Sequence, residues 1–135
     1  MADIMPSRRR FFALLAATAA AASMTLAADA VAQRFPDVVA AKVRAGSAGH
    51  FDFDVTVSSP YDTPQRYADA FRVTSKAGEV FGERKLLHDH AAEQPFTRDL
   101  YGVAIPPDIR VVLVQARDSA FGYGGATFEV SLPGR

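Results

Sequence analysis

From Val38 onward, apolar and polar residues alternate in short runs divided by turn-forming residues. The clearest run is "HFDFDVTVSS", where Phe51, Phe53, Val55 and Val57 share one face and Asp52, Asp54, Thr56 and Ser58 the other. A period of two over eight residues predicts a half-buried strand. "TFEVSL" repeats the design, with Phe128, Val130 and Leu132 inward. "IRVVLVQAR" (Ile109 to Arg117) is apolar on both faces until Gln115, as a central strand would be. "VVAAKVRAG" opens the series, and "YADAFRVTS", "EVFGERKLL" and "PFTRDLYGVAI" fill the middle. Between them lie "AGSAG", "SPYDTPQR", "SKAG", "IPPD" and "DSAFGYGG", all rich in turn chemistry.

Seven strands with such spacing and no helical period predict an all-β fold, a seven-stranded antiparallel sandwich of immunoglobulin or fibronectin-III type. The Cys–Trp–Cys and tyrosine-corner hallmarks are absent from the sequence, so the expectation is an Ig-like architecture and not an antibody-type domain. A small open barrel is the alternative that the same pattern supports. If the strands are lettered A to G and alternate in direction, alternate loops fall at the same end. "AGSAG", "SKAG" and "IPPD" then share one end. The longer B–C, D–E and F–G loops, "SPYDTPQR", "HDHAAEQP" and "DSAFGYGG", share the other, where binding surfaces of sandwiches are commonly built.

The first part of the 135-residue chain has a different character. "SRRRFF", an alanine-rich run and small residues at Ala28, Ala30 and Ala32 make a charged region, a weakly apolar region and an A-x-A cleavage pattern. The serine-flanked arginines followed by phenylalanine resemble a twin-arginine export signal. Residues 1–32 are therefore expected to be a cleaved signal and residues 33–135 an Ig-like domain, periplasmic or secreted. A membrane-spanning helix over Phe11 to Ala28 is the alternative, but alanine contributes little to insertion and the cleavage pattern follows directly.

Charge and sulfur narrow the chemistry. Without Arg8, Arg9 and Arg10 the fifteen basic residues become twelve, and without Asp3 and Asp29 the fifteen acidic ones become thirteen. Such balance offers nucleic acid or anionic lipid no overall attraction. With no cysteine, disulfides, thiolate-held metals and a cysteine-linked lipid anchor are excluded for these residues, and Met1, Met5 and Met24 all precede the domain.

"LLHDHAAEQPF" is the main chemical candidate. His88 and His90 flank Asp89, and in extended chain residues i and i+2 point the same way about 6.5–7 Å apart. With Glu93 as a third ligand, and Asp69 or Asp118 as possible extras, the set suits Zn²⁺ or Cu²⁺. The competing expectation is a metal-free module that contacts a protein or glycan through Tyr61, Asp62, Phe121 and Tyr123, the last two displayed among glycines. Asp69 falls in register with Phe71 and Val73, so it is expected to need a partner, with Arg84, Arg98 or Arg117 in reach. Catalysis has little support: no G-x-S-x-G turn occurs, and only Ser119 with His88 and Asp118 could be imagined as a triad. His50 opens the second strand at the plainer end and is expected to be exposed.

The segment "HDHAAEQPFTRDL" followed by "DSAFGYGG" resembles a family of small exported bacterial β-sandwich proteins of uncharacterised function, with an H-x-H-x-x-E-Q-P-F-T-R-x-L segment before a D-S-x-x-G-Y/W-G-G hairpin. The match runs from about Asp54 to Pro133 and rests on His88, His90, Glu93, Gln94, Arg98, Asp118, Gly122, Gly124 and Gly125. It implies a fold and an export route, and no mechanism. Phe121 stands where the resemblance would place histidine or another polar residue, which counts against a metal ligand there. The expectation is an exported, non-catalytic binding domain.

Overall fold

The computed structural model describes residues 33–135. The expected signal, and the alternative of a spanning helix, lie outside the described residues. Eight strands and no helix are found among those residues. They are β1 (Asp37–Ala45), β2 (His50–Ser58), β3 (Ala68–Thr74), β4 (Val80–Lys85), β5 (Phe96–Ala104), β6 (Val111–Asp118), β7 (Gly122–Tyr123) and β8 (Phe128–Ser131). Each of the seven expected strands forms, and the short β7 is added within the glycine-rich loop.

The strands make two antiparallel sheets, one of order β1-β2-β5 and one of order β4-β3-β6-β7, with β8 also pairing β6. The period-two faces meet between them. Phe53, Val55 and Val57 of β2, Phe96 of β5, Phe71 and Val73 of β3, and Val112, Val114 and Ala116 of β6 are all fully buried. These belong to a single apolar cluster spanning both sheets. Each such large side chain contributes about 1.5–3 kcal/mol by leaving water. The molecule is an antiparallel sandwich, and the two sheets are not hydrogen-bonded into the barrel that the strand pattern also allowed.

Asp69 finds the partner its position called for, beside a bulge that the alternation does not record. The register of β3 against β6 shifts between Ala68 and Ala70. An extra residue at such a bulge breaks strict alternation. Ala68, Ala70, Phe71 and Val73 all reach the core, while the Asp69 side chain stays partly exposed and pairs with Arg117. Arg84 pairs with Asp99 and Arg98 with Glu93, so Arg117 is the partner among the three arginines considered.

The loop ends differ as their sequences suggest. The B–C loop reaches both of its neighbours: Asp62 accepts the backbone N–H of His90 at 3.0 Å, and Tyr67 and Ser119 exchange backbone and hydroxyl hydrogen bonds. At the opposite end, Arg135 donates to the carbonyls of Ile105 and Ile109, and the exposed His50 ring lies within hydrogen-bond distance of the carbonyls of Ser47 and Ala48.

Candidate functional site at the loop end

Two buried carboxylates organise the three long loops. Asp62 gives one oxygen to the N–H of Ala68 at 3.1 Å and the other to that of His90. Asp118, at the end of β6, has no exposed surface. One oxygen accepts the Tyr61 hydroxyl at 2.6 Å and Arg66 Nε at 3.1 Å; the other accepts the N–H groups of Ala120 at 2.9 Å and Phe121 at 2.8 Å. Burial alone would raise the Asp118 pKa. The hydrogen bonds from Tyr61, the two amides and Arg66 outweigh it and hold the carboxyl below its ordinary value. Burial and the same hydrogen bond push the Tyr61 phenol well upward. Both carboxylates are committed to the protein's own donors, so Asp62 shapes the loop end from within and Asp118 has no lone pair directed to a metal.

Fixing the start of the F–G loop in this way displays Phe121, which is 52% exposed. Arg34 and Arg66 place their guanidinium carbons 4.8 and 4.9 Å from its ring centre, and Phe35 meets it edge-on at 6.2 Å. Arg66 also covers the Tyr61 ring at 4.3 Å and donates to the Arg34 carbonyl. Tyr61, Arg66, Phe121 and Arg34 thus form one continuous layer of alternating rings and cations. Tyr123 is not part of it. Its hydroxyl donates to Glu83 at 2.7 Å and Arg72 stacks on its ring at 3.8 Å, so it lies across the five-stranded sheet. Burial, then Glu83, push its phenol upward.

The histidine loop is assembled for packing. His90 is buried and its ring stacks on Phe96 at 4.0 Å and 13°. Its carbonyl accepts Glu93 N–H and Gln94 Nε2, each at 3.0 Å, while Gln94 Oε1 takes the N–H of Ser59 at 2.8 Å. His88 is exposed, with Nδ1 2.8 Å from the Asp89 carbonyl. The two rings lie 4.8 Å apart between centres. Glu93 is held by both terminal nitrogens of Arg98, which keeps its pKa below the ordinary value. The expected Zn or Cu ligands therefore do not come together as a set. Among the described residues, no group of three or more His, Cys, Asp or Glu is disposed to hold a metal ion. Ser119 Oγ accepts the N–H of Tyr67 at 3.1 Å and is engaged there, not with a histidine.

Sequence reasoning missed Arg34, Phe35 and Arg66. The first two precede the first strand, where no periodic pattern draws attention. Arg66 sits in a turn whose charge says nothing of its neighbours. An arginine four residues beyond Asp62 and five beyond Tyr61 in a tight "YDTPQR" turn is the one available hint.

A curated protein of Halomicrobium mukohataei described as "Putative lipoprotein" is 33% identical over 97 residues, covering 72% of this chain and 47% of that protein. The chain thus spans about half the length of the curated relative it matches. No family model matches the chain. No solved structure matches it.

Proposed function

We propose that this chain is an exported, non-catalytic binding module with an Ig- or fibronectin-III-like sandwich, which engages a protein partner through the Tyr61–Arg66–Phe121–Arg34 layer. The strand order β1-β2-β5 against β4-β3-β6-β7 supports the fold assignment. The signal-like residues 1–32 support export, and the relative's description as a lipoprotein fits that direction. Replacing Arg8 and Arg9 by lysine should leave the chain in the cytoplasm if the route is the twin-arginine one.

The observation that carries the binding role is a half-exposed Phe121 braced by two arginines. Rigid aromatics and arginines are the side chains that most often dominate interface energetics, and stacked guanidinium groups still present N–H donors at their edges. The layer suits a surface that offers a carboxylate beside an apolar side chain. A photo-crosslinker at position 121, used in producing cells, should capture a defined protein. Phe121→Ala should weaken binding of that protein by about 2 kcal/mol, and Arg34→Ala should weaken it also, without lowering the melting temperature. Unchanged binding in both variants, or binding to glycans alone, would refute the reading.

A further inference from the structure

Between the histidine loop and the adjoining ends of β4 and β5 lies a cleft of 170 Å³. Arg84, Lys85, His88, His90 and Arg98 line it beside Leu86 and Leu87, and no carboxylate is among the lining residues. Five nitrogen-bearing side chains converge here in a chain whose formal net charge is zero. The nearest acids are used at their own positions. Asp99 takes Nη1 of Arg84 at 2.7 Å, Glu93 takes the terminal nitrogens of Arg98, and Asp89 accepts the N–H of Ala91 at 3.2 Å. Asp62 is saturated by the amides of Ala68 and His90. Among the described residues this leaves Nε and Nη2 of Arg84, Nε of Arg98 and Nζ of Lys85 without a protein acceptor. His90 adds an independent observation: it is 7% exposed, and its Nδ1 is buried with no hydrogen-bond partner.

We propose that this cleft binds a phosphate-type oxyanion, either as a free anion or as a phospholipid headgroup. A tetrahedral anion accepts hydrogen bonds from several directions at once, which suits donors carried by two strands and a loop. A planar carboxylate would meet fewer of them. Burial first, and then the neighbouring Arg98 and His88 against the opposing Asp62 and Glu93, hold the His90 imidazole below its ordinary pKa. Beside the cleft, Leu87 is 84% exposed and gives a headgroup ligand an apolar foothold that a free anion would not use.

The test uses the full chain and a Lys85→Gln, His88→Gln variant, since both side chains are exposed and their loss should leave the melting temperature unchanged. Inorganic phosphate is titrated calorimetrically at constant ionic strength, and flotation is measured with phosphatidylglycerol and phosphatidylcholine vesicles. Saturable one-site binding of phosphate, weakened roughly tenfold or more in the variant, would support the free anion. Flotation with phosphatidylglycerol vesicles only, lost in the variant and in Leu87→Ser, would support the headgroup. Absence of both, or binding that wild type and variant share equally, would overturn the proposal. None of these results depends on Phe121, so the partner-binding layer can stand or fall separately.

Discussion

Asp62 and His90, 28 residues apart, are joined by a hydrogen bond of 3.0 Å from the backbone N–H of His90 to a buried carboxylate oxygen. The second oxygen holds Ala68 N–H at the start of β3. One side chain thus fixes the B–C loop to a strand and to the histidine loop. Asp62→Ala leaves two buried amides without acceptors, at a cost of about 2–4 kcal/mol. Asp62→Asn should recover less than half of that, because its amide nitrogen faces a donor. Urea unfolding gives the size of the loss. Faster hydrogen exchange at the His90 and Ala68 amides would locate it, and an unchanged exchange pattern would contradict the assigned role.

Asp118 makes the protein's acid stability predictable in sign. Its folded-state pKa lies below the ordinary 3.8. A carboxyl of that kind contributes fully above the ordinary value, and the contribution is lost as pH falls from there through the folded pKa. The stability curve should therefore drop below about pH 4. Asp118→Asn should flatten that limb while lowering stability at neutral pH. Tyr61→Phe removes a hydrogen bond to a charged, buried acceptor and should cost about 1.5–3 kcal/mol at pH 7. A drop below pH 4 that Asp118→Asn leaves intact would assign the acid transition to another group.

How much of this could be read from the chain follows from the range of the interactions. Strand faces such as Phe51–Phe53–Val55–Val57 are written locally, because side-chain direction alternates with each residue. The grouping of the B–C, D–E and F–G loops followed from strand direction alone. The need of Asp69 for an arginine was legible, but the bulge beside it was not, because a bulge depends on register between strands, which no single segment records. The H-x-H spacing reads as a metal-ligand pair. It could not show that Phe96, six residues beyond His90, would stack on that ring, or that Arg98 would take Glu93. Arg34 meets Phe121 only because residues 87 positions apart become neighbours in the folded chain.

Gly125 limits how the F–G loop can be changed. It has φ of +74°, and a Cβ there would sit 2.3 Å from the Pro36 carbonyl oxygen. That oxygen is backbone, held in place where Val38 N–H bonds the Ala126 carbonyl at 3.0 Å and Asp37 accepts the N–H of Ala126 at 2.8 Å. Gly125→Ala should cost at least about 2 kcal/mol, from left-handed strain and the clash together. Gly122 also has positive φ, at +83°, but nothing lies within 4 Å of its Cβ position. Gly122→Ala should therefore cost only about 1 kcal/mol. Equal losses in thermal unfolding of the two variants would show that the close approach to Pro36 is unimportant.

Whether the paired histidines take up a metal in solution can be decided against their packing. A zinc ion needs imidazole nitrogens at about 2.0–2.1 Å and a tetrahedral set completed by further ligands. His90 is stacked on Phe96 with its Nδ1 buried, and Glu93 is gripped by both arms of Arg98. Gathering His88, His90 and Glu93 on one ion would break that stack and that ion pair. Calorimetric titration of the chain with Zn²⁺ and Cu²⁺ should therefore give only weak heats, the same in a His88→Ala, His90→Ala variant. Stoichiometric binding in the micromolar range or tighter, abolished in that variant, would mean that the loop rearranges around a metal. In the metal-free chain, His90→Ala should by itself destabilise the fold by about 2–4 kcal/mol, because the ring packs in the core against Phe96. His88→Ala should be nearly neutral, and that inequality marks His90 as a packing residue and His88 as a surface one.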